Sequence, residues 1–173
     1  METAVIVGIF TLVGTLAGVA IGAILNYWFL ERSRRRERED LVREETIDRL
    51  NEFYSSLAGI HYCLLQSRKV LTNAEKIALT NIQTGALSRY TKAHGELFKS
   101  YFKMKKYTKG GPILKSFREF WKEVEVLINL HHLTENYLNY AEIKDDNLIK
   151  QLVDQLEKVY DRYTILRDAL LAD

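Results

Sequence analysis

The sequence predicts an all-α protein in which a single N-terminal transmembrane helix is continuous with a cytoplasmic antiparallel four-helix bundle. Residues 4–30 are uncharged and mostly apolar, later apolar residues recur at spacings of three and four, and Pro112 is the only proline. Such spacing gives a helix one apolar face, and no long stretch alternates with the period of two typical of a strand. We therefore divide the chain into an anchor (1–30), a charged helical neck (31–40) and a bundle (41–173).

The apolar segment is long enough to cross a bilayer. As a helix its 27 residues would span roughly 40 Å, and a hydrocarbon core needs about 20 residues. A cleaved signal peptide is the alternative, but its start should be basic and its apolar region shorter. This chain begins Met1-Glu2-Thr3, so we expect a permanent single-pass anchor in the cell membrane.

Charges at the two ends of the anchor predict its orientation. Only Glu2 precedes the segment. Five arginines follow it closely: Arg32, Arg34, Arg35, Arg36 and Arg38. Because positive charge is retained on the cytoplasmic side, we expect the N-terminus outside and the bundle inside. Tyr27 and Trp28 precede the arginines, where aromatic rings favour the headgroup level.

One face of the anchor carries small residues. Gly14, Gly18 and Gly22 recur every four residues, and the same step reaches Asn26. Glycines at this spacing let a second helix approach closely, and Asn26 could hydrogen-bond across the contact. The alternative is the general abundance of glycine in membrane helices. We hypothesise that this transmembrane packing face mediates self-association, with the helix of another membrane protein as the other candidate partner.

Beyond the neck, four segments each place apolar residues on one helical face. The expected inward-facing residues are Leu50, Phe53, Leu57, Ile60, Leu64 and Leu71 in the first segment; Leu79, Ile82, Ala86, Tyr90, Ala93, Leu97, Tyr101 and Met104 in the second; Leu114, Phe117, Trp121, Val124, Ile128, His131 and Leu138 in the third; and Leu148, Leu152, Leu156, Val159, Tyr163, Leu166 and Leu170 in the fourth. Heptad-like spacing indicates helices that pack at shallow angles.

Short breaks separate these segments. Asn73 is the expected cap of the second helix, and the run from Lys109 to Pro112 ends that helix and begins the third. Asp145 or Asp146 can cap the fourth. Short connections favour an up-down-up-down bundle. The alternative is a splayed set of helices that completes its core with another subunit.

No enzyme signature is present, and we expect a non-enzymatic protein without a cofactor or metal. No acidic residue stands three positions before any histidine, which excludes the Glu-x-x-His motif of di-iron bundles. A phosphate-binding loop and an HExxH motif are also absent. His61 and His94 are weak metal candidates, and His131 with Glu135 suits a helical pair better than a ligand pair. Cys63 is the only cysteine, so no internal disulfide can form, and we expect its thiol to be buried.

Basic and aromatic residues alternate near the end of the second helix. The segment contains Lys99, Tyr101, Phe102, Lys103, Lys105, Lys106, Tyr107 and Lys109. Together with the five neck arginines, Lys103, Lys105, Lys106 and Lys109 are candidate lipid headgroup contacts. A solvated helix face with inward aromatics is the plainer interpretation, and nucleic acid is an unlikely partner.

The leading functional prediction is a membrane-anchored helical-bundle interaction module that self-associates or is accessory to a membrane complex. The main alternative is a small oligomeric pore-forming or membrane-disrupting effector assembled through the glycine face. Only Thr11, Thr15 and Asn26 could line such a pore. A regulatory subunit of a larger membrane complex is a third interpretation.

Overall fold

A computed structural model describes residues 2–107, 111–133 and 146–172, and every regular element in these ranges is an α-helix. The four helices are α1 (Glu2–Ser67), α2 (Asn73–Tyr107), α3 (Pro112–Leu133) and α4 (Asp146–Leu171). The all-helical prediction is confirmed for the described part of the chain. Two compact units are present, Met1–Leu41 and Val42–Asp173, and their boundary falls within α1.

The first unit contains the predicted anchor and neck. Its described large apolar side chains, from Val13 to Leu30, are all at least 49 % exposed. The described helix from Val13 onward is long and apolar enough to cross a membrane, with a mean hydropathy of 1.6 in a window that has no buried residue. Length and composition thus permit one membrane span near the N-terminus.

In the second unit, α1 and α2 run antiparallel. The Lys103 Nζ atom lies 2.6 Å from Glu45 Oε1, which joins the end of α2 to the part of α1 where the unit begins. Further along α1, a Cβ atom built on Gly59 would lie 3.0 Å from the Ala86 Cβ atom. From the first contact to the second, the residue number rises along α1 and falls along α2, so the two helices run in opposite directions. Their backbones approach closely where two small residues meet.

The α3–α4 pair is also antiparallel, and polar side chains fix its register. Arg162 Nη1 donates to Glu119 Oε2 at 2.9 Å. One helical turn further along α3, Gln155 Nε2 donates to the Glu123 backbone oxygen at 2.9 Å and to Glu123 Oε2 at 2.8 Å. The buried Gln155 amide therefore has acceptors, which offsets the cost of removing it from water.

Aromatic and polar contacts close the bundle between α4 and α1. The Tyr163 hydroxyl donates to Asn51 Oδ1 at 2.7 Å, and the Tyr54 ring stacks on the Tyr163 ring with centroids 4.4 Å apart. The four helices thus surround one continuous apolar core. A four-helix packing in which sequential neighbours are antiparallel agrees with the prediction made from the short connections.

The core contains most of the residues that the sequence predicts. All five heptad residues from Leu50 to Leu64 are buried, and so are six of the seven predicted in α4. In α2 the prediction for Ile82 is wrong, because that side chain is 42 % exposed and Gln83 is buried instead. In α3 the fully buried Phe120 was not predicted. Leu138 and the side chain of His131 lie outside the described residues.

The start of α2 corrects the predicted cap. Asn73 is the first residue of α2, and Thr72 makes the capping contacts instead. The Glu75 backbone N–H donates to Thr72 Oγ1 at 3.3 Å, and the Thr72 backbone N–H donates to Glu75 Oε2 at 2.7 Å. This reciprocal pair is a capping box, which requires an acid three residues after the cap. Hydrogen bonds from Thr72 lower the pKa of Glu75 below its ordinary value.

Substitution of two glycines should have opposite effects on stability. Gly59 faces Ala86 at the α1–α2 contact, whereas a Cβ atom on Gly85 would have no neighbour within 4 Å. We expect Gly59→Leu to lower the free energy of unfolding by about 1–3 kcal/mol through overpacking. Gly85→Ala should raise it by about 0.5–1 kcal/mol by restricting the unfolded backbone. Urea unfolding of the full chain in detergent micelles, followed by helical circular dichroism, measures both. Equal effects of the two substitutions would contradict the close helix contact.

Candidate functional site

A groove of about 830 Å³ lies between α1 and α2 on the surface of the second unit. Six of its lining side chains are charged: Glu45, Asp48, Arg49, Glu52, Arg89 and Lys92. The groove was not predictable from the sequence, because its lining residues share no motif and come together only when the two helices pack.

The charges of the groove balance and partly pair with one another. Arg49 Nη1 lies 2.9 Å from Glu52 Oε2, and this contact raises the pKa of the Arg49 guanidinium. Glu45 is engaged by Lys103 from α2. Ser56 is buried, and its hydroxyl donates to the Phe53 backbone oxygen at 2.6 Å within α1. The groove therefore resembles a self-compensated polar surface more than a site with an activated group.

The basic–aromatic segment of α2 is divided between several environments. Tyr101 turns inward, with its ring centroid 5.4 Å from that of Phe117. Phe102 instead is 52 % exposed, so the expectation that the aromatics face inward holds for only one of these two rings. Lys103 is paired with Glu45. Lys109 lies outside the described residues.

An aromatic cluster begins at this exposed face and continues into the core. Phe98, which is 46 % exposed, contacts the Phe102 ring with centroids 4.9 Å apart and the Trp121 ring with centroids 5.7 Å apart. Trp121 lies 5.1 Å from the His94 ring, and His94 lies 6.4 Å from Phe53. Phe98 was not singled out from the sequence, although its spacing of four from Phe102 on the non-core side of α2 is a usable signal.

The predicted packing face of the anchor is open in this single chain. A Cβ atom added at Gly14, Gly18 or Gly22 would meet nothing within 4 Å. Asn26 is exposed as well. The four residues lie on one helix at intervals of four, so they share a face that a neighbouring helix could approach.

The arginines of the neck are exposed, as a solvated or headgroup-facing segment requires. The Arg32 guanidinium lies over the Trp28 ring at 5.3 Å from its centroid, a cation–π contact that links the basic and aromatic residues at this position. Ser33 donates to Glu37 at 3.5 Å. Arg34, Arg35, Arg36 and Arg38 lie on the same exposed helix.

The candidate metal ligands are not assembled into a site. Within residues 2–107, 111–133 and 146–172, no group of three or more His, Cys, Asp or Glu is placed to hold a metal ion. His61 contacts the Tyr160 ring and His94 lies among aromatic rings, so the two histidines have separate surroundings. Glu135 lies outside the described residues, as does the side chain of His131.

Comparison with known proteins gives no relative from which a role could be transferred. No protein-family model matches the sequence, and no curated protein or solved structure matches it significantly.

The aromatic surroundings of His94 predict a pH dependence of stability. Burial lowers the pKa of His94 below its ordinary value of 6.5, so protonation favours the unfolded chain. The associated stability is fully present above pH 6.5 and is lost as the pH falls below that value toward the folded-state pKa. When the pH is lowered from about 7 to about 5, we expect the melting temperature of His94→Gln to fall less than that of the wild-type chain.

Thermal melting followed by circular dichroism, at both pH values, measures this difference. An identical pH dependence in His94→Gln and wild type would show that the partly buried imidazole of His94 is not the responsible group.

Proposed function

We propose that this protein is a single-pass, membrane-anchored interaction module without enzymatic activity, whose helical bundle presents surfaces to partners at the membrane. The observation that supports this most directly is the apolar helix of the first unit. Between Val13 and Leu30 its large apolar side chains are exposed, and exposing such a continuous apolar surface to water is strongly unfavourable. A bilayer would cover these side chains.

The proposed orientation places the N-terminus outside and the bundle in the cytoplasm. Its support is the set of five arginines between Arg32 and Arg38, which directly follow the anchor. Basic residues within a short distance of a membrane span are retained on the cytoplasmic side. The Arg32–Trp28 contact fits a headgroup-level position for the end of the anchor.

Self-association through the packing face is part of the proposal. Gly14, Gly18 and Gly22 have no neighbouring heavy atom within 4 Å of an added Cβ, so a second helix could pack against their backbone. In lipid, association depends on such close packing and on hydrogen bonds between helices, because lipid tails are as apolar as the side chains. Asn26 supplies the polar group at the end of the face.

Alkaline extraction and protease protection test the anchor and its orientation. The full chain should stay with the membrane at alkaline pH, because a spanning helix is held by its buried apolar surface. In sealed right-side-out vesicles, an added protease should remove an N-terminal tag and spare a C-terminal tag. Detergent-opened vesicles are the control in which both tags are lost. Release by alkali would refute the anchor, and the opposite tag pattern would refute the orientation.

A Gly18→Leu substitution tests the packing face. The larger side chain prevents close approach of a second helix, so we expect the chemically cross-linked oligomer of the full chain in membranes to decrease severalfold. Ala20→Leu is the matched control, since residue 20 lies on roughly the opposite side of the helix from residue 18.

An unchanged oligomer population in Gly18→Leu would contradict self-association through this face. The same preparations, reconstituted in liposomes, also test the pore-forming alternative. Ion conductance or dye leakage that Gly18→Leu removes would favour a pore over an interaction module.

A further inference from the structure

Packing within the bundle leaves about half of each ring on the aromatic face of α2 uncovered. Phe98 and Phe102 are 46 % and 52 % exposed, and their rings contact each other in an edge-to-face arrangement with centroids 4.9 Å apart. The core-facing side of the same helical turns is already filled by Leu97 and Met104, which are fully buried. Two adjacent aromatic rings therefore remain available on the outer surface of α2.

Lysines surround this face, and their pairing differs. Lys103 is held by Glu45 on α1, and Lys99 by Glu96 one turn earlier on α2. Lys105 and Lys106 are exposed, and no ion pair joins either of them to a carboxylate in the part of the chain that the structure describes. Lys105 and Lys106 follow Phe102 by three and four residues, so both side chains start on the same side of the helix as that ring. The Lys106 Nζ atom lies over the Tyr107 ring, 5.8 Å from its centroid.

The charge of this region differs sharply from that of the rest of the bundle. Residues 92–122 contain nine Lys and Arg against two Glu, a net charge of +7. Residues 123–173 contain five Lys and Arg against eleven Asp and Glu, a net charge of −6. Because the whole chain carries only +2, the positive charge is concentrated in the stretch of sequence that contains the aromatic face. A negatively charged surface is the electrostatic complement of this region.

We propose that the face formed by Phe98, Phe102, Lys105 and Lys106 docks on the anionic lipid surface of the membrane. The two rings insert at the boundary between headgroups and acyl chains, and the ammonium groups of Lys105 and Lys106 contact lipid phosphates and carboxylates. Aromatic rings favour this interfacial depth, whereas the lysines add an attraction that depends on anionic lipid.

This inference rests on the proposed function, because the anchor is what brings the bundle to a membrane. Chain connectivity supports it further. Lys103, on the same turn as Phe102, pairs with Glu45, which lies three residues after the second unit begins at Val42. The docking face therefore lies at the end of the second unit where the chain enters that unit.

Trp121 supplies a reporter for docking in the full chain. Its ring centroid lies 5.7 Å from that of Phe98, and Trp28 is the only other tryptophan. In a Trp28→Phe background, the full chain is reconstituted into phosphatidylcholine vesicles with or without phosphatidylserine. The measurement is Trp121 emission in brominated lipid divided by emission in unbrominated lipid, which corrects for intrinsic differences between variants.

We expect brominated lipid to quench Trp121 in vesicles that contain phosphatidylserine, and quenching to weaken in pure phosphatidylcholine or at high salt. Lys105→Gln combined with Lys106→Gln should lower the ratio of docked to undocked bundle about thirtyfold, since each lysine near an anionic surface contributes about a fivefold preference. Phe98→Ser combined with Phe102→Ser should also reduce quenching.

Matched controls separate docking from general changes in the bundle. Lys150→Gln with Lys158→Gln removes two exposed lysines from α4, and Ile77→Ser with Ile82→Ser removes two exposed apolar side chains from the other end of α2. Both control pairs should retain wild-type quenching. Circular dichroism of each variant verifies that its helical content is unchanged.

Three outcomes would overturn the proposal. Equal quenching of Trp121 in the two lipid compositions would show that docking does not depend on anionic lipid. An equal reduction of quenching in the control pairs would show that docking does not depend on this face. Absent quenching, with a co-purifying protein that Phe98→Ser and Phe102→Ser release, would reassign the face to a protein partner. Flotation of the chain with both vesicle types separately tests the anchor, so failure of docking and failure of the proposed function are distinguishable.

Discussion

The burial of the Phe53 ring is the interaction on which the bundle depends. This side chain, 1 % exposed, comes from α1 and contacts Tyr90 on α2 and both Phe120 and Trp121 on α3, with centroid separations between 5.4 and 6.4 Å. One ring thus links three of the four helices at the middle of the core. Aromatic pairs in offset and edge-to-face arrangements add stabilisation beyond their buried area, so the register of three helices is coupled through a single residue.

The fold was largely predictable because apolar spacing specifies which side of a helix is buried. Leu50 to Leu64 in α1 and Leu152 to Leu170 in α4 follow that spacing without ambiguity. In α2, Ile82 and Gln83 are adjacent, and hydrophobicity alone selects the isoleucine. Which of two neighbours faces the core depends on how α2 is rotated against α1, and that rotation is set by the close contact of small residues, which no local pattern records.

The surface was less predictable than the core. Sequence spacing indicated the basic–aromatic segment of α2, but it could not show that Tyr101 turns inward whereas Phe102 stays outside. Pairing of Lys103 with Glu45 joins residues 58 positions apart, so it appears only after the helices pack. The cap of α2, in contrast, was predictable from the sequence. Glu75 stands three residues after Thr72, and the capping-box rule therefore favoured Thr72 over Asn73 as the cap.

The buried cysteine makes local unfolding of the bundle measurable by thiol labelling. Cys63 is completely buried in α1, and burial raises the pKa of its thiol. A thiol-specific reagent reacts with the thiolate, so modification requires a transient exposure of this part of the core. Because Cys63 is the only cysteine, the rate of labelling in intact membranes would report the frequency of local unfolding at one defined position. The natural thiol serves as the reporter, so local unfolding of the bundle can be measured in intact membranes without an added label site.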